Sequence, residues 1–120
     1  MDRPDGDRRR LTIWPHAHLE LRLEGGGLVA RVEGEVDLAN VARVERVVMD
    51  AVARDRPRAV AVDLTALQYL DGAGRAWLLR LGERLAFGGV AVEIRRPKGG
   101  EAARMFDLLW LAGDELWAAR

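Results

Sequence analysis

The residues best placed to recognise something are Asp71-Gly72-Ala73-Gly74. A carboxylate followed by two glycines around an alanine, just ahead of an apolar helical pattern, is a tight turn into a helix with Asp71 as its N-cap. The amides and dipole of such a helix start favour anions. The segment lacks the lysine and hydroxyl of a P-loop, and its glycine spacing is not GxGxxG, so a small anionic ligand or nucleotide is a minor alternative there. His16 and His18, two apart, share a face on a strand, but no third ligand follows at metal-binding spacing, and they read as solvated residues. Asp37, Asp63 and Asp71 can be drawn as a general acid and base, yet no nucleophile accompanies them. Cysteine and serine are absent, and the only side-chain hydroxyls are those of Thr12, Thr65 and Tyr69. That excludes thiolate and serine nucleophiles, disulfides and cysteine-based zinc sites. No catalytic constellation, cofactor site or metal site emerges, and the chemistry points to a non-enzymatic binding domain.

The whole chain bounds the same answer. Its 120 residues suit one domain, with 49% hydrophobic and 32% charged residues. Folding at this size buries roughly two thirds of the unfolded chain's surface. Lysine plus arginine total 19 and aspartate plus glutamate total 19, so the chain lacks the basic excess of a nucleic-acid module. All cations but Lys98 are arginine, a bias attributed to GC-rich coding. No apolar run approaches the roughly 18 residues of a membrane span, and the charged start lacks a signal-peptide core. The expectation is a soluble, cytoplasmic protein without membrane insertion.

The elements that must position Asp71–Gly74 follow from periodicity. Met1–Arg10 is polar and charged, and reads as a disordered tail; Leu11–Trp14 is a short extra strand or an arm, stopped by Pro15. Residues 1–15 are therefore assigned to a tail or arm and 16–120 to the domain. Leu19, Leu21 and Leu23 alternate with charged residues, as do Leu28, Ala30 and Val32 with Val29, Arg31 and Glu33, around a Gly25-Gly26-Gly27 turn: an antiparallel hairpin. Asp37 and Asn40 are N-cap candidates for an amphipathic helix carrying Val41, Val44, Val48 and Val52, which stops at Asp55–Arg58. Ala59–Leu64 is a short apolar run, hence a central strand. A loop with Thr65, Gln68 and Tyr69 leads to the Asp71 turn and a helix bearing Trp77, Leu78, Leu81 and Leu85. Val90–Ile94 is a strand, and a third helix from about Glu101 carries Met105, Phe106, Leu109 and Trp110 before Gly113, with Leu116-Trp117 packing back. Trp110 is also a candidate exposed anchor for a partner. The fold class is α/β, a mixed sheet with an N-terminal antiparallel hairpin, then parallel strands, and helices mainly on one face.

Two segments carry a family resemblance. Val32-Glu33-Gly34-Glu35-Val36-Asp37-Leu38-Ala39 is similar to the "G-E-L-D" segment, and Val62–Gly74 to the "D-L-S/T-x-x-x-x-[IL]-D-S-S/A-G" segment, of the STAS domain. In both order and separation the chain resembles that family, which includes bacterial anti-sigma factor antagonists, over roughly Leu19 to Trp117. The resemblance implies a single STAS-like domain that docks on an anti-sigma factor, a serine-kinase-like ATPase, and is switched off by phosphorylation of a serine at the second helix start. Here Ala73 stands at that serine and Gly72 at the one before it, so neither accepts phosphate; Arg75 stands where the family usually has leucine. The partner-binding role carries over to Asp37, Asp71, Gly72, Ala73, Gly74 and Arg75, and the phospho-acceptor role does not. The family also supplies the alternative, a regulatory subunit working with the ATPase or permease of a membrane transporter, such as a lipid-transport ABC system. A homodimer is compatible with either.

Overall fold

The computed structural model describes residues 6–110. Strands β1 (Arg8–Ile13), β2 (Ala17–Glu24) and β3 (Gly27–Val36) form an antiparallel meander. Helix α1 (Val41–Asp55) crosses to β4 (Ala59–Asp63), which pairs parallel with β3. A three-residue turn leads to β5 (Leu67–Leu70), then α2 (Gly72–Phe87), β6 (Ala91–Arg95) and α3 (Gly100–Trp110). The sheet order is β1-β2-β3-β4-β6, with β5 paired to the far half of β3. This is the mixed-sheet α/β fold expected.

The core lies between that sheet and the three helices. Leu19, Leu21, Ala30, Val32, Val60, Val62 and Ile94 share one sheet face by strand alternation. They join Val44 and Val48 of α1, Trp77, Leu78, Leu81 and Leu85 of α2, and Ala102 and Phe106 of α3 in one buried cluster. The α2 stripe is the one the 3.6-residue period picks out. Helix α1 stops because Arg56 turns left-handed and its N–H reaches the Val52 carbonyl, after which Pro57 forbids continuation.

Three expectations are corrected. Arg8–Arg10, expected in the disordered tail, lie on β1, whose pairing with β2 runs from Arg8↔Arg22 to Ile13↔Ala17. The strand extends because Arg10 meets Glu20 and Glu33, so polar residues suit the helix-free face. Residues 67–70, expected in a loop, form β5: only four residues long and paired along one edge, it has too little alternation to be legible. Asn40 precedes α1 but its side chain does not cap the helix. The expected packing of Leu116-Trp117 and the helix end at Gly113 lie outside the described residues, as does the Trp110 side chain.

Candidate functional site

Val36 ends β3 and Leu70 ends β5, and these two residues are register partners in a parallel pair. The residues that follow them, Asp37 and Asp71, therefore leave the sheet side by side. The Asp71 carboxylate ties the two loops together. Its Oδ1 accepts the Gly74 N–H at 3.1 Å, capping α2, and its Oδ2 accepts the Leu38 N–H of the neighbouring loop at 3.2 Å. Asp37 Oδ1 accepts the Ala39 N–H at 2.9 Å, closing its own turn.

Asn40 is fully buried, and its side chain reaches away from α1 instead of capping it. Its Oδ1 accepts the Asp37 N–H at 3.1 Å, while its Nδ2 donates to the carbonyls of Pro15 at 2.6 Å and Glu35 at 2.8 Å. A buried amide satisfied on three backbone groups fixes all three segments, because losing it would strand buried polar atoms. Arg43, in the first turn of α1, adds a second clamp: its Nη1 donates to the carbonyls of Trp14 at 2.8 Å and Ala39 at 3.0 Å.

The helix start divides by position. Gly72 is exposed, and a Cβ there would meet open space. Ala73, the second residue of α2, is half-buried, its methyl packed at the edge of the core. Gly74 is buried: a Cβ would lie 2.3 Å from Leu70 Cδ1 and 3.4 Å from Val36 Cγ1, so its bareness lets α2 begin against the β3–β5 pair. Arg75 follows, half-exposed. Gly34 serves the same region from the sheet. It has φ +88° at a register shift in β3, and a Cβ would sit 2.2 Å from the His16 carbonyl oxygen.

Of the three aspartates, only Asp37 and Asp71 come together. Asp63 sits at the end of β4, its Oδ1 accepting from the Thr65 hydroxyl at 2.6 Å and the Thr65 N–H at 2.9 Å. Burial alone would raise its pKa; the two Thr65 hydrogen bonds, with the charges of Arg31 and Arg95, outweigh burial and hold the carboxyl below its ordinary value. The Thr65 hydroxyl is thus engaged away from the start of α2, and Tyr69 lies on β5. His16 and His18 are both exposed, His18 Nδ1 standing 3.4 Å from Thr12 Oγ1.

A family model described as the STAS domain matches residues 18–113. The chain belongs to the STAS domain family. Two solved structures share the fold of this STAS domain. An anti-sigma factor antagonist from Mycobacterium paratuberculosis is 24% identical, with a TM-score of 0.64 over 93% of this chain and 84% of that one. The unphosphorylated form of the anti-sigma factor antagonist SpoIIAA is 16% identical, with a TM-score of 0.65 over 85% of this chain and 87% of that one. A comparison with curated protein sequences finds no match.

The family segments name the two loops that Asp71 ties together but leave out residues that hold them. Trp14 and Leu38 are 72% and 79% exposed, and Asn40 and Arg43 hold their loops. A signal was present for Leu38, an apolar residue between two cap candidates and outside the α1 stripe. None was present for the role of Asn40, whose partners lie in segments far apart in sequence.

Proposed function

We propose that this STAS domain is a non-enzymatic protein-binding module, an anti-sigma factor antagonist-like regulator that works by partner switching without the usual phospho-acceptor. The observation that carries the reading is Ala73 itself. It stands at the second position of α2, beside exposed Gly72 and the exposed Leu38 loop, and offers a methyl where a hydroxyl would take the phosphate. A phosphoryl group there would add nearly two negative charges next to Asp71 and change docking. This chain keeps the unphosphorylated surface permanently, so its binding is set by amount and competition.

The test uses a purified serine-kinase-type anti-sigma factor and ATP. The wild-type chain forms a complex and takes up no phosphate. Ala73→Ser gains a phosphate at residue 73 and then leaves the complex. Phosphate on the wild-type chain at Thr65 or Tyr69 with loss of binding would overturn the reading, as would absence of any complex. Stable co-purification with a transporter ATPase in place of the kinase would favour the transporter-subunit role.

A further inference from the structure

Aromatic side chains of the described residues divide sharply: Phe106 is buried and Phe87, at the end of α2, is exposed, and Trp77 and Trp14 contrast in the same way. Trp77 is wholly buried in the core, whereas Trp14 is 72% exposed. An exposed indole on a free arm would mean little. Trp14 is not on a free arm. Its carbonyl is held by Arg43, the carbonyl of the next residue is held by the fully buried Asn40, and each of these side chains also holds the Asp37–Asn40 turn. A single Arg43 nitrogen reaches both Trp14 and Ala39, so the two chain segments are immediate neighbours. On the other side of that turn, the Leu38 N–H is held by Asp71 at the start of α2.

We infer that the docking surface continues from Gly72 and Ala73 across Leu38 to Trp14, with the Trp14 indole as its anchor and Asn40 and Arg43 as its positioning residues. The inference deepens the proposed function and rests on it for the partner's identity. Rigid aromatic anchors carry a large share of binding energy because they bury much area and lose little entropy on docking. The local charge argues for the partner's complement. Among the described residues the Arg43 guanidinium bonds the backbone carbonyls of Trp14 and Ala39 and meets no carboxylate, whereas the Asp37 and Asp71 carboxylates of the same surface are taken up by backbone amides, so Arg43 is the charge beside the Trp14 backbone that a partner can complement. The partner surface is therefore an apolar cleft with a carboxylate at its lip, on the same anti-sigma factor that receives the helix start.

A photo-crosslinking amino acid is placed at position 14, 73 or 87 of the full chain, with the purified serine-kinase-type anti-sigma factor as the probe. Phe87, 96% exposed at the far end of α2, is the control. Crosslinks to the probe from 14 and 73, and none from 87, are expected. A crosslink from 73 without one from 14 overturns the extension and leaves the proposed function standing. No complex with the unlabelled wild-type chain overturns both. A crosslink from 14 to a second copy of this chain also overturns the extension. In titrations, Trp14→Ala weakens the complex at least about tenfold, a hot-spot-sized loss, while Phe87→Ala leaves it unchanged. Positioning is read by a double-mutant cycle: the losses from Arg43→Ala and Trp14→Ala are less than additive, and the part of the Arg43→Ala loss that persists in the Trp14→Ala background falls with added salt, as its own pairing with the partner carboxylate requires. Fully additive losses would reduce Arg43 to a merely structural role and sink that part of the inference.

Discussion

Carboxylates do different work in two regions of this protein. At the rim where β3 and β5 end, they turn onto backbone amides: Asp71 holds Gly74 and Leu38, and Asp37 holds Ala39. On the helix-free face of the sheet they turn sideways onto arginines. There the strand registers align Arg10, Glu20, Arg31, Asp63 and Arg95 in one row across five strands, with alternating sign. Arg10 also pairs with Glu33 at 3.0 Å, which holds the Glu33 carboxyl below its ordinary value, and Arg95 pairs with Glu93 at 3.3 Å. Such exposed pairs contribute about 0–1 kcal/mol and weaken with salt. The rim ties fix loop shape and leave Gly72, Leu38 and Trp14 as the outward groups. The sheet face neutralises itself. The comparison separates an edge where carboxylates shape loops from a face where charges balance one another.

The strongest way to break the rim is to push α2 off the sheet. Gly74→Ala places a methyl against Leu70 and Val36 and destabilises the fold by about 1–3 kcal/mol, the range for overpacking. Gly72→Ala, two residues earlier, meets open space and stabilises by about 0.4–1 kcal/mol through the unfolded chain. Urea unfolding of the two variants reads the difference. Equal effects would mean that the helix start is not packed as described.

Asp71→Ala comes next. It removes the cap of α2, worth about 0.5–2 kcal/mol, and releases the exposed Leu38 amide to water. Asp71→Asn retains one acceptor and recovers part of the loss. Hydrogen exchange at Leu38 and Gly74 checks it: both amides lose protection together in Asp71→Ala, because one carboxylate holds both. Independent behaviour would separate the two loops.

The two regions were legible to different depths. The period of Trp77, Leu78, Leu81 and Leu85 gives α2, and the Asp71 cap fixes where it starts, since both are local properties. The alternation of β2 and β3 shows which residues face outward, but the charge row depends on four registers that no local pattern contains. The arginines of β1 illustrate the cost of that gap. Read alone they resemble a solvated tail, and partners distant in sequence, Glu20 and Glu33 for Arg10 and Asp55 of α1 for Arg9, make them strand residues. Asn40 fails in the same way at the rim. Its type and place satisfy the rule for an N-cap, and tertiary partners at Pro15 and Glu35 outcompete the helix amides.

The smallest effect sharpens the sheet face, at its one buried carboxylate. Asp63 is 9% exposed, and its native pKa lies below the unfolded value of about 3.9. A depressed carboxylate adds stability that is complete above the unfolded pKa and is lost as pH falls through the native one. Asp63→Asn keeps the shape and an acceptor for Thr65 but removes the charge between Arg31 and Arg95. The variant is therefore less stable than wild type by about 1 kcal/mol at neutral pH, the scale of one hydrogen bond. The gap closes as pH drops from about 5 through the usual carboxylate range. Glu33 is held below its ordinary value by Arg10 in both proteins, so its contribution cancels in the difference. Thermal unfolding of the pair across that pH series reads the gap directly, and a gap that widened in acid would mean that burial, not the Thr65 and arginine contacts, governs this carboxylate.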